Sequence, residues 1–153
     1  MRLLMTLVVL SMTLWATDSS IGTWKRNIEK SKANPPNNNP ITNNTMVREA
    51  NGPDGVKVTN TGLRKDGAQV KWSYTAKYDG KEVAVVGDAP FDMLTLKQID
   101  AHSYAQSARK KGGKYNTTGR VVISKDGKTL TLTTKGMNAD GQPYSQTIVY
   151  DKQ

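Results

Sequence analysis

Aromatic and aliphatic side chains at two-residue spacing are the main candidates for binding chemistry in this sequence. Trp72, Tyr74 and Tyr78 alternate with polar residues, which places them on one face of a β-strand. Such a face suits an amphipathic molecule, because the rings bury apolar area and the phenol hydroxyls hold a polar group. By the same alternation we expect further inward-facing, ligand-contacting side chains at Leu94, Leu96, Tyr104, Leu130 and Leu132. The alternative is that all of these residues fill a solid core.

The densest cluster of charge is the basic run at residues 109–114. It could make weak contacts with anionic lipids or polymers. We favour a solvated hairpin tip, whose lysines discourage association of sheet edges. Because no aromatic residues interleave with this run, we do not expect nucleic acid as a partner.

Catalytic and metal-binding chemistry is poorly represented. The chain has a single histidine, His102, and no cysteine, and neither a nucleophile motif nor a phosphate-binding glycine loop occurs. His102 could pair with Asp100 or Asp92, but a lone histidine at the start of a strand is typical of an exposed or capping residue. The Asp-Gly pairs lack the clustered oxygen ligands of a calcium loop. We therefore expect no enzymatic activity, no cofactor and no metal site.

The elements that position these side chains are short strands separated by turns. Asp-Gly pairs occur at 54–55, 66–67, 79–80, 126–127 and 140–141, and this dipeptide favours tight hairpins. Period-two alternation between the turns predicts strands over 22–29, 41–49, 55–63, 68–78, 82–86, 92–99, 102–110, 115–124, 128–135 and 143–151. The predicted fold class is therefore all-β.

Joined mostly by hairpins, these strands would leave two costly edges in an open sheet. Closure into an antiparallel up-and-down β-barrel of about 8–10 strands removes those edges. A sandwich of two sheets is the main alternative. The segment 31–40 is rich in proline and asparagine, so it favours neither helix nor strand. It is either a solvated connector or a flap over one mouth of the barrel.

The N-terminus indicates export. Residues 1–16 combine one positive charge with an apolar stretch that is short for a membrane span, which is typical of a signal peptide cut near Ala16. An uncleaved membrane anchor is the alternative. Residues 17–153 then form a single domain, and we expect a periplasmic or extracellular monomer. The full chain of 153 residues carries a net charge of +9.

Gly22 and Trp24 open the predicted first strand, and this Gly-x-Trp resembles the signature of lipocalins and the wider calycin superfamily. In those families a basic residue of a late strand stacks on the tryptophan, which the resemblance assigns here to Arg120, with Arg109 as second candidate. Over nearly all of residues 22–153, and most clearly at 22–25, 72–81, 124–131, 133–136 and 139–141, the chain is similar to small exported bacterial lipocalin-like proteins of uncharacterised function.

Together these observations predict an exported lipocalin-like barrel that binds a small hydrophobic or amphipathic molecule. Three alternatives stay open at this point. They are a non-catalytic interaction protein of the cell envelope with a filled barrel core, an enzyme acting within the barrel, and a basic protein that binds anionic surfaces. The volume of the interior separates the first alternative from a ligand-binding protein.

Overall fold

The computed structural model describes residues 17–153, so the predicted signal peptide at 1–16 lies outside the described residues. Within them the chain forms strands and turns without a helix, and no segment there is a helix able to span a membrane. The strands are β1 (Gly22–Asn34), β2 (Ile41–Ala50), β3 (Gly55–Arg64), β4 (Gln69–Lys77), β5 (Val83–Ala84), β6 (Val86–Gly87), β7 (Met93–Asp100), β8 (Ser103–Arg109), β9 (Asn116–Ile123), β10 (Thr129–Met137) and β11 (Pro143–Lys152).

The strands form a single antiparallel sheet that curls into a nearly closed barrel. Consecutive strands pair from β1 to β4 and from β7 to β11, and β11 pairs with β1. The remaining gap between β4 and β7 is bridged by β5 and β6, which the alternation predicted as one strand. β6 pairs with β4 through Trp72 and Gly87, and β5 pairs with β7 through Val83 and Leu94. The predicted all-β up-and-down barrel is confirmed.

The turns follow the Asp-Gly pairs with one exception. Gly67 and Gly127 have φ values of +86° and +70°, the left-handed conformation that glycine adopts without steric cost. At Asp54-Gly55 the positive φ lies instead on Gly52, at +72°, and Gly55 begins β3. The hairpin between β2 and β3 therefore places its left-handed residue before the Asp-Gly pair, not within it.

The segment 31–40 differs from expectation at its start, because β1 continues to Asn34. Pairing between β1 and β11 shifts register between Asn27 and Lys32, which marks a bulge. The Ser31 hydroxyl donates to the Asn27 carbonyl at 2.6 Å and accepts from the Val149 amide at 3.0 Å. The serine therefore replaces the backbone hydrogen bonds that the bulge removes, and the strand resumes beyond it.

The barrel has two different ends. At the closed end, the segment 17–21 lies against Trp24, Tyr78 and Tyr104. Between the ends the interior is packed, with Leu94, Leu96 and other side chains excluded from solvent. At the opposite end, which we call the mouth, a cavity opens between the continuation of β1 and the segment after β6.

Candidate ligand-binding site

Trp24 seals the closed end of the barrel. Its side chain is fully buried, and its indole Nε1 donates to the Ser20 carbonyl at 2.9 Å. Lys152 Nζ lies 5.1 Å from the ring centroid, so the cation over the indole comes from β11. The assignment of Arg120 to this role is corrected, because that side chain is exposed on the outer face of β9. Arg109 instead pairs with Glu82, at 2.6 and 2.5 Å.

Asp18 joins the same seal through hydrogen bonds to two phenols. Tyr104 donates to its carboxylate at 2.8 Å, Tyr78 donates to the other oxygen, and the Ser20 amide donates at 2.9 Å. Burial is the largest single influence on the carboxyl group and raises its pKa, but these hydrogen bonds together outweigh it, so the pKa of Asp18 lies below its usual 3.8. Burial and the adjacent carboxylate raise the pKa of Tyr78.

This seal predicts a particular pH dependence of stability. Because the folded pKa of Asp18 is depressed, its contribution is present above the unfolded pKa and is lost as the pH falls through the folded value. We expect an Asp18→Asn variant to be less stable at neutral pH and to lose less stability than the native protein between about pH 5 and pH 2. Urea midpoints measured across that range test this, and Tyr78→Phe should reproduce part of the change. Parallel pH profiles in the native protein and Asp18→Asn would contradict it.

Arg48 lies on the inner face near the same end. Its side chain is 2 % exposed, and Cζ lies 5.9 Å from the centroid of the Tyr104 ring. Nε and Nη2 have no hydrogen-bond partner among residues 17–153. A positive charge therefore lies over the Tyr104 ring inside the barrel, which makes this part of the interior more polar than the sequence suggests.

The mouth holds a cavity of about 410 Å³. One wall is a row of aromatic rings, in which Phe91 lies between Trp72 and Tyr115 with centroid distances of 5.4 and 5.6 Å. Apolar side chains of β2 and β11, Ile41 and Ile148, also line the cavity. Since Trp72 and Phe91 are only partly covered and all three residues line the cavity, the row provides apolar area that a guest molecule can bury.

Polar groups of the cavity come mainly from arginine and tyrosine. Arg26 projects from β1, and its Nη1 donates to the Ile41 carbonyl at a long 3.4 Å. Arg64 donates to the Asn39 carbonyl at 3.5 Å. Burial raises the pKa of Tyr144, a second neutral phenol beside Tyr115, while the Arg26 charge acts in the opposite direction. The cavity thus combines aromatic surface with cations and neutral hydroxyls.

Most of the ligand-contacting residues predicted from sequence lie away from this cavity. Trp72 lines it. Leu94, Leu96, Tyr104 and Leu130 are buried in the packed core, together with Tyr74, and Leu132 packs against that core. Tyr78 lies at the closed end. The alternation therefore identified inward-facing positions but not which of them border open space.

Sequence reasoning missed several lining residues. They are Arg26, Phe91, Tyr115, Tyr144 and Ile148. Arg26 follows Trp24 by two positions, so strand parity alone would have placed it inside. Tyr144 and Ile148 are four residues apart in β11 and therefore point to the same face of that strand. Phe91 lies in the loop before β7, where no alternation of apolar and polar residues indicates which way it points.

The proline and asparagine segment reaches the mouth. Pro36, Asn37 and Pro40 line the cavity. Asn39 tethers the segment to the turn after β3, since its Nδ2 donates to Asp66 at 2.9 Å and its Oδ1 accepts from the Asp66 amide at 3.3 Å. This position is the one that a flap would occupy.

The remaining candidates, which are the basic run and His102 with its acidic neighbours, do not line the cavity. In the basic run, Lys110 pairs with Asp92 at 3.4 Å, in addition to the Arg109–Glu82 pair. The exposed His102 donates its amide to Asp100 at 2.9 Å, a turn contact, and its Nδ1 lies 3.3 Å from the Ser19 hydroxyl. No group of three or more histidine, aspartate or glutamate side chains within the described range is arranged to hold a metal ion.

Comparison with known proteins identifies the fold. No protein-family model matches the chain, and no curated protein matches it in sequence. A solved structure of a mutant of the fluorescent protein UnaG is 13 % identical, with a TM-score of 0.56, covering 90 % of this chain and 98 % of that chain. A redesigned β-barrel is 11 % identical at a TM-score of 0.52, covering 89 % and 95 %. EF1p2_mFAP2b bound to DFHBI is 9 % identical at 0.50, covering 88 % and 94 %. The chain therefore shares the β-barrel fold of these structures.

Proposed function

We propose that this protein is an exported binding protein that holds a small hydrophobic or amphipathic molecule in the mouth of its barrel. The observation that carries the proposal is the cavity of about 410 Å³ beside the row of Trp72, Phe91 and Tyr115. Sites for small molecules are mostly apolar concavities of about 300–1,000 Å³ with a few polar groups. The solved structure of a similar barrel with DFHBI supports the same use of this fold.

Binding, rather than catalysis, is the activity that we propose for this cavity. Asp88 is the one carboxylate among the lining residues that the structure describes, and it accepts a hydrogen bond from the Lys71 amide at 3.0 Å. General acid–base catalysis requires a positioned proton donor and acceptor near the substrate. The lining offers guanidinium groups, which have no acceptor atom, and the phenols of Tyr115 and Tyr144, whose pKa values burial raises.

A protein with a filled core is the second candidate, and the interior gives it some support. Tyr74, Leu94, Leu96, Tyr104 and Leu130 leave little space between the closed end and the mouth. Such a protein would act through its outer surface. The two candidates differ in what co-purifies with the protein. Native mass spectrometry of protein from its own host, followed by extraction, should identify a small molecule for a binding protein and none for a filled barrel.

A probe experiment tests the location of the site. We expect the neutral dye N-phenylnaphthylamine to fluoresce on binding the native protein, and Phe91→Ala to weaken that binding about tenfold or more, because it removes the middle ring of the row. Ile99→Ala is the matched control, since Ile99 is exposed on β7 outside the cavity lining. Equal affinities of Phe91→Ala and the native protein would place the dye elsewhere.

A further inference from the structure

We propose that the molecule bound in the mouth is an organic anion, whose carboxylate, sulfonate or similar group is bound by Arg26. This inference rests on the proposed function, because it specifies the charge of a ligand in the same cavity. It adds a residue and a chemical class that follow from the hydrogen bonding and charges around the cavity.

The guanidinium group of Arg26 lies at the mouth of the barrel. The residue lies opposite Tyr150 in the pairing of β1 with β11, two positions beyond the inward-facing Trp24. Its side chain is half-buried and lines the cavity. Burial raises the pKa of the nearby Tyr150 to about 12, and the positive charge of Arg26 acts in the opposite direction on that pKa.

The hydrogen bonding of Arg26 is incomplete. Nη1 has the long contact to Ile41, whereas Nε is buried without a partner among the described residues. No carboxylate of those residues forms a salt bridge with this guanidinium. A buried donor left unpaired is costly, so a ligand oxygen that accepts from Nε would gain the full benefit of that contact. Carboxylates and sulfonates match the planar guanidinium with two parallel hydrogen bonds.

The charges around the cavity point to the same class. Arg26, Lys32 and Arg64 are cations, while Asp88 is the single acid among the described lining residues and is already bound to the Lys71 amide. Tyr115 and Tyr144 are neutral, and Tyr144 donates to Gln146 at 2.7 Å. A cationic guest would be repelled, a neutral guest without an acceptor atom would leave Nε unpaired, and a neutral guest with one would leave the positive charge of Arg26 without a counter-charge. An anion with an apolar body can pair with Arg26 and still cover the aromatic row.

A matched pair of dyes tests the inference. Anilinonaphthalene sulfonate carries a sulfonate on the same ring system as the neutral N-phenylnaphthylamine. We expect the native protein to bind the sulfonate at least about tenfold more tightly, with an affinity that falls as salt rises, and each dye to displace the other. Arg26→Met should weaken the sulfonate about 10–100-fold and change the neutral dye by less than about twofold.

Two further variants make the result specific. Arg26→Lys keeps the charge but loses the planar fork, so its affinity for the sulfonate should lie between those of the native protein and Arg26→Met. Arg120→Met removes an exposed cation of the outer face and should leave both dyes unchanged. Thermal melting of each variant verifies that it is folded.

The outcomes separate the two proposals. If the native protein binds both dyes in the cavity with equal affinity and without salt dependence, the anion inference is wrong and the binding function stands. The same holds if Arg26→Met weakens both dyes equally. If neither dye binds, or if Phe91→Ala affects neither of them, the proposed function fails and the inference fails with it.

Discussion

Replacing Trp24 with alanine is expected to lower the free energy of unfolding by about 3–5 kcal/mol. The indole is fully buried at the closed end, where it donates to the Ser20 carbonyl and lies beneath Lys152. Its removal leaves a large void and an unpaired carbonyl. Urea unfolding followed by circular dichroism measures the loss.

Trp72→Ala provides the matched control for that experiment. Trp72 is half-buried and borders the open cavity, so the water that replaces its ring is already close and the cost should be smaller than at Trp24. A loss below about 1 kcal/mol for Trp24→Ala would show that the indole is not a structural plug.

Gly87→Ala is expected to destabilise the protein by about 2–4 kcal/mol and to weaken dye binding. Gly87 has a φ of +108°, and a Cβ there would lie 2.2 Å from the Lys71 carbonyl oxygen. That carbonyl accepts from the Asp88 amide at 2.9 Å across the seam between β4 and β6. Because the added Cβ would clash with backbone atoms, β4 and β6 would have to separate at this seam, next to the cavity residues Trp72 and Asp88.

Gly127→Ala separates the clash from the strain of the backbone conformation. Gly127 has a φ of +70°, but a Cβ on it would meet no atom within 4 Å. This substitution should cost about 1 kcal/mol and leave dye binding intact. If both alanine variants have the same stability and affinity, the seam is not under the steric constraint described here.

Strand positions and barrel closure could be predicted because both follow from local chemistry. The alternation around Trp72 and Tyr74 and the turns at Gly67 and Gly127 depend only on neighbouring residues. Closure follows from the cost of unpaired edges once ten hairpin-linked strands are expected. The extension of β1 to Asn34 was missed, since it depends on a hydroxyl contact between Ser31 and Val149, a residue far away in the sequence.

The candidate site was less predictable because it depends on register and on packing along the barrel axis. Strand parity tells which side chains point inward, but Tyr104 and Trp72 share that property and only Trp72 borders the cavity. The cation over Trp24 belongs to Lys152 because of the pairing of β1 with β11, which no local pattern determines. Arg26 lies in a run of polar residues, Lys25–Arg26–Asn27, and such a run is typical of a solvent-exposed segment.

Other expectations remain predictions. Cleavage near Ala16, export to the periplasm or the exterior, and a monomeric state each need a direct measurement. N-terminal sequencing of the protein from its host, cell fractionation and analytical ultracentrifugation provide these measurements. None of them affects the assignment of the barrel fold.

The arrangement of the two ends has a practical consequence for anchoring the molecule. Asp18 and Ser20 contact the closed end, and the amide of Gln153 donates to the Thr23 carbonyl at 3.0 Å, so Gln153 is held there as well. A bead, sensor chip or fusion partner attached through Gln153 would therefore stand on the side away from Phe91 and Tyr115. Immobilised in this way, the protein would face the bulk solution with its opening unobstructed.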